Sequence, residues 1–123
     1  MKETPEDFFA SYAQGFVDQD VAKIARHFAY PCMLSNQSGT DLVCDDDDLE
    51  QHNLGFMTLL KDQQLSGAVP TIVHDHAFGA TNRVVSVDWQ LIDGAGRSFA
   101  DLEYLYVLVG GKGNWKISVA NLI

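Results

Sequence analysis

Basic side chains are scarce in this sequence. Eight lysines and arginines stand against seventeen aspartates and glutamates, giving a formal charge of −9 and a pI near 4.5. A surface of that sign repels phosphate backbones, which excludes nucleic-acid binding as a main function. Cysteine is scarce too: Cys32 and Cys44 cannot make a disulfide framework. No apolar run is long enough to span a bilayer. The opening stretch Met1 to Asp7 is charged and lacks the apolar centre of a secretion signal, so the expected setting is the cytoplasm, with no membrane partner. Repeats, low-complexity tracts and linkers are absent as well. What remains is 123 residues and 13.6 kDa, with 46% hydrophobic and 20% charged residues, the make-up of one globular domain.

The first half reads as helical. Thr4 caps a helix with Pro5 at its first position and Glu6 and Asp7 in its first turn. Phe8, Phe9, Tyr12 and Phe16 recur at helical spacing, and the pattern runs out near Asp18. A second helix is expected from Asp20 to about Ala29, with Val21, Ile24, Ala25 and Phe28 inside and Pro31 ending it. Two short strands, Pro31 to Gln37 and Asp41 to Cys44, flank a turn at Gln37-Ser38-Gly39-Thr40. A two-residue loop there pairs Cys32 with Asp45 and Met33 with Cys44, putting the sulfurs on opposite faces as free thiols that pack as small hydrophobes. Asp45 to Asp48 open a third helix reaching about Gln64, with Leu49, His52, Phe56, Leu59 and Leu60 as its stripe. These aspartates lack the alternating ligands and glycine of a calcium loop, and the helix dipole alone accounts for them.

The second half changes period. Four strands are expected, Val69 to Phe78, Arg83 to Ile92, Phe99 to Val109 and Trp115 to Leu122, joined by glycine-rich turns into an antiparallel meander. Val85, Val87, Trp89 and Leu91 share one side of the second strand, with Val84 and Ile92 opposite. On the third strand Leu102, Tyr104, Tyr106 and Leu108 oppose Leu105, Val107 and Val109. Both faces are largely apolar, whereas a sheet with one wet face alternates cleanly. A homodimer packed through the outer sheet face is the simplest cover.

Three helices, an early strand pair and a long meander ending in Trp115-Lys116-Ile117 resemble the nuclear-transport-factor-2-like superfamily, and within it the SnoaL-like bacterial members. The residues that carry this are the helix end Tyr12 to Asp20, the stretch Ile24-Ala25-Arg26-His27-Phe28-Ala29-Tyr30-Pro31, Val87-Asp88-Trp89, Asp93-Gly94 and the final strand. The resemblance implies an α+β, cone-shaped (cystatin-like) fold, with three helices packed on a curved antiparallel sheet around an apolar pocket. It implies little chemistry, because the superfamily hosts isomerases, dehydratases, cyclases and non-enzymatic modules.

Comparison with ketosteroid isomerase, a relative whose oxyanion hole joins a tyrosine and a protonated aspartate, matches Tyr12 and Asp101 to that pair. The isomerase's base aligns with Asn36 or Ser35, neither able to take a proton from carbon, so steroid isomerisation by that route is not expected. The resemblance also favours Ser86, Asp88 and Gln90 pointing inward, with Glu103 beside Asp101, although a one-residue slip would send Val85, Val87 and Trp89 inward instead. Phe16, Phe28 and Phe56 would supply the apolar lining. A carboxyl desolvated there stays neutral and donates with Tyr12 to one ligand oxygen; the alternative reading has Tyr12 as a plain core aromatic and Asp101 paired to Arg97 or solvent.

His74 and His76 share a strand face but lack a third ligand, so no metal and no cofactor are expected. His27 and His52 read as packing residues near helix stripes. Gly110, Gly111 and Gly113 lie between strands and form a hairpin, unlike a dinucleotide fingerprint, which opens a helix. Two functions follow. One is a pocket for a compact apolar ligand with an oxygen function, with lyase or isomerase chemistry from Tyr12 and Asp101 as donors and Asp88 or His76 as base. The other is a non-catalytic dimerisation or partner-binding module with a filled cavity. Cavity size discriminates them.

Overall fold

Thr4 begins the first helix through a reciprocal cap. The Asp7 N–H donates to Thr4 Oγ1 at 3.1 Å, and Asp7 Oδ2 accepts from the Thr4 N–H at 3.4 Å. In the computed structural model, which describes residues 3–111 and 113–123, α1 then runs Pro5–Val17 and buries Phe8, Phe9 and Tyr12 as its spacing predicts. Asp20 caps α2, Val21–Ala25. This helix is shorter than expected. Phe28 and Ala29 belong to β1, Phe28–Asn36, because Phe28 pairs with Ile117 in the sheet instead of extending the Ile24 stripe. Pro31 therefore lies inside a strand, where the pairing between Phe28 and Met33 shifts and its missing N–H costs no ladder bond.

β2 covers Gly39–Val43, and its register differs from the sequence reading. Asn36 Oδ1 accepts from the Ser38 N–H at 2.8 Å, starting the turn one residue early, and Gly39 takes the positive φ of 140°. Asn36 thus pairs with Gly39, and Cys32 faces Val43 where Asp45 was expected. Both thiols are free, as expected, Cys32 buried and Cys44 exposed.

Asp45 caps α3, Asp46–Asp62. Its buried residues are Leu49, Met57 and Leu60, with Phe56 half-buried. The stripe is rotated from the expected one, since His52 and Leu59 face solvent. The meander follows as β3 Gly67–Phe78, β4 Asn82–Ile92, β5 Ser98–Gly111 and β6 Asn114–Leu122. Strand order is β2-β1-β6-β5-β4-β3, antiparallel except that β1 runs parallel to β6. The pairing shifts at one place in each of the last four strand pairs, and such irregularities bend strands. The curved sheet carries the helices on one face, and the core lies between them. No helix among the described residues is long and apolar enough to cross a membrane.

Candidate functional site

The orientation of β4 decides what the interior contains. Val85, Val87, Trp89 and Leu91 are buried against the helices, while Asp88 and Gln90 are exposed on the far face. On β5, Leu102, Tyr104, Tyr106 and Leu108 face inward, and Asp101 and Glu103 face out. Burying the apolar set and leaving the carboxylates in water is the cheaper arrangement by far, since an unpaired buried carboxylate costs several kcal/mol.

The two apolar layers do not close fully where α1 and α3 end. A cavity of about 40 Å³ remains there. Tyr12, Ala13 and Phe16 of α1 and Phe56 and Leu60 of α3 form one wall. Trp89 and Leu91 of β4 with Leu102, Tyr104 and Tyr106 of β5 form the other, and Leu65 and Ala68 border the start of β3. Phe16 and Phe56 meet edge to face at 5.9 Å.

Its polar groups are few and specific. The Trp89 indole N–H donates to the Tyr106 hydroxyl at 2.8 Å. Tyr104 stacks on Tyr106 with ring centres 5.4 Å apart and 12° between planes. Tyr12 lies 6.3 Å from Tyr106 and 6.2 Å from Trp89. No side-chain hydrogen bond to the Tyr12 or Tyr104 hydroxyl is found among the described residues. Burial raises the pKa of Tyr12, and the neighbouring Tyr104 adds to this; Tyr106 is raised by burial and then by Tyr12, and Tyr104 by burial alone. The cavity is walled by neutral phenols.

The expected site residues are divided by the sheet. Tyr12, Phe16 and Phe56 line the cavity. Phe28 is buried 5.8 Å from the Tyr12 ring but outside the cavity wall. Asp101, Asp88, Gln90 and Glu103 line a shallow groove on the outer face, and Asn36 lies at its neighbouring end with Asp101 and Glu103. Ser86 is also on the outer side, buried among its neighbours with an unpartnered hydroxyl. His76 is exposed on β3 and packs on Phe78 at 4.6 Å. The expected pairing of Tyr12 with Asp101 is therefore not assembled, and neither Asp88 nor His76 reaches the tyrosine. The inward placement expected for Ser86, Asp88 and Gln90 is reversed by one strand position. No group of three or more His, Cys, Asp or Glu that could hold a metal is present among the described residues.

A family described as NTF2-like protein (DUF6841) matches residues 2–121. The chain belongs to that NTF2-like family. Solved structures agree on the fold. A protein of unknown function with a cystatin-like fold from Nostoc punctiforme superposes with TM-score 0.69 at 12% identity, over 99% of this chain and 93% of that one. An NTF-2 like protein of unknown function from Shewanella oneidensis gives 0.69 at 12%, over 94% and 92%. A candidate ketosteroid isomerase from Shewanella frigidimarina gives 0.71 at 13%, over 95% and 92%. At such identities the likeness shows the fold alone. No curated protein matches the chain.

Within this NTF2-like frame, the residues that sequence reasoning left out of the site are Trp89, Tyr104 and Tyr106. Their signal was present as the apolar alternation of β4 and β5. The resemblance to the isomerase points to the opposite set of β4 side chains.

Proposed function

We propose that this NTF2-like protein binds a small, mostly apolar molecule in the cavity beneath its sheet, as a binding protein and not as an acid–base catalyst. The observation that carries the reading is the unpartnered Tyr12 hydroxyl in an otherwise apolar, partly open cavity. Its oxygen is not among the sealed, unpartnered polar atoms, so the cavity leaves room for an acceptor beside it. Proton transfer needs a base near neutral pH within reach, and the lining holds only phenols whose pKa values burial raises. The small volume means that the ligand inserts one end while its body rests against Phe16 and Phe56.

Thermal-shift screening with small ketones, lactones, enones and carboxylic acids tests this. Binders raise the melting temperature of the parent, and Ala68→Leu, which fills part of the cavity from its lining, abolishes the rise. A flat response across the panel, or a rise that survives Ala68→Leu, overturns the proposal.

A second reading rests on a separate observation. Leu42, Met33, Val119, Val107 and Val84 stand in one register row across β2, β1, β6, β5 and β4, on the face away from the helices. Such a band supports pairing of two copies through their sheets. The unpaired thiols Cys32 and Cys44 fit a reducing, cytoplasmic setting.

A further inference from the structure

The geometry points to an uncharged ligand head that presents a hydrogen-bond-accepting oxygen to Tyr12, Tyr104 and Tyr106, a ligand class that rests on the pocket reading above. The argument begins with Trp89. Its indole has a single N–H, and that proton is given to the Tyr106 oxygen at 2.8 Å. Accepting this bond occupies one lone pair of the Tyr106 oxygen and strengthens its own O–H as a donor. No acceptor for that proton, or for those of Tyr12 and Tyr104, is found among the described residues. Three phenols thus line one small cavity with protons to give. They are close enough that Tyr12 and Tyr104 each oppose ionisation of Tyr106, so they remain donors at neutral pH.

Two further facts narrow the class. None of the side chains lining the cavity is charged. A carboxylate or ammonium head would be stripped of water there with no counter-charge, and burying an unpaired charge is far costlier than burying a carbonyl. The volume of about 40 Å³ is also well below the roughly 150 Å³ that holds a benzene ring. A head of three or four non-hydrogen atoms, such as an acetyl group, matches it.

The test compares four probes of similar size by NMR on the ¹⁵N-labelled protein: 2-pentanone, pentanoate, pentylammonium and 2-methylpentane. The readout is the Trp89 indole N–H, identified by its loss in Trp89→Phe, because it reports the Tyr106 oxygen directly. Titration with 2-pentanone is expected to move that resonance, with the two charged probes at least tenfold weaker and the hydrocarbon about three- to tenfold weaker. Tyr104→Phe and Tyr12→Phe are each expected to weaken 2-pentanone by about three- to tenfold while leaving the hydrocarbon unchanged. The two variants are independent, so a folding failure in one leaves the other decisive. Equal binding of the hydrocarbon or of a charged probe, or ketone affinity within twofold of the parent in the folded tyrosine variants, overturns the neutral-acceptor class while the pocket stands. If no probe moves the resonance, the pocket reading itself falls.

Discussion

His27 shows how a single buried side chain ties stability to pH. It is only 9% exposed, with Nδ1–H donating to the Lys23 carbonyl at 2.8 Å and Nε2 accepting from Ser11 Oγ at 3.1 Å in the neutral tautomer this pattern requires. Phe8 and Tyr12 flank the ring edge to face. Burial lowers its pKa, and the charges of Lys116 and Arg26 act in the same direction, against the backbone hydrogen bonds. The unfolded chain takes up this proton near pH 6.5 and the folded chain only lower, so stability falls as pH drops below about 6.5. Urea midpoints measured from pH 7.5 to 5.5 should decline in the parent and decline less in His27→Gln; parallel slopes would contradict this assignment. Tyr106 and Asp101 make a second comparison. Tyr106→Phe leaves the buried Trp89 N–H without an acceptor and should cost about 1–3 kcal/mol. Asp101→Asn, on the wet face, should stay within about 0.5 kcal/mol. Denaturant unfolding of both variants measures the contrast.

Among the elements, the first helix is where local rules and packing can be set against each other. Gly15 lies in α1, where alanine would normally add about 1 kcal/mol of helix stability. A Cβ there would stand 2.9 Å from Ile24 Cγ1 and 3.2 Å from the Ile24 backbone nitrogen. Overpacking of that kind costs about 1–3 kcal/mol, so the clash between α1 and α2 wins and Gly15→Ala should destabilise. A raised melting temperature would show that α2 yields. The same helix was fully legible in the sequence, because a Thr-Pro start, acidic first turn and long aromatic stripe all say one thing. α2 was not. In five residues, Ile24 followed by Phe28 fits a helix as well as a strand entry, and only pairing with Ile117 across the chain settles it. On α3 the charges gave the start correctly, but Leu54, Leu59 and His52 blur the stripe, and the exposed positions followed from packing alone.

At the scale of the whole molecule, the long meander and the α+β architecture were readable because glycine turns and alternating strands fix them locally. Which face of β4 turned inward was not, since a one-residue choice exchanges every side chain and decides whether Trp89 stands on the outer face or in the cavity wall. In the observed orientation the outer face carries an apolar row, and the assembly predicted from it is a homodimer. Val107 stands inside the row, paired with Val84 and Val119 on its two sides, while Leu42 and Met33 at the β2 end are 63% and 43% exposed. Sedimentation at micromolar concentration should give twice the chain mass for the parent and the mass of one chain for Val107→Lys, whose outward side chain leaves the core untouched. Each copy carries a formal charge of −9, so two copies repel, and added sodium chloride should tighten the dimer by screening that repulsion while the apolar contact is unaffected. A monomeric parent at all salt concentrations would mean that the row is covered by something other than a second copy, and a Val107→Lys variant that still sediments as a dimer would place the contact on another surface.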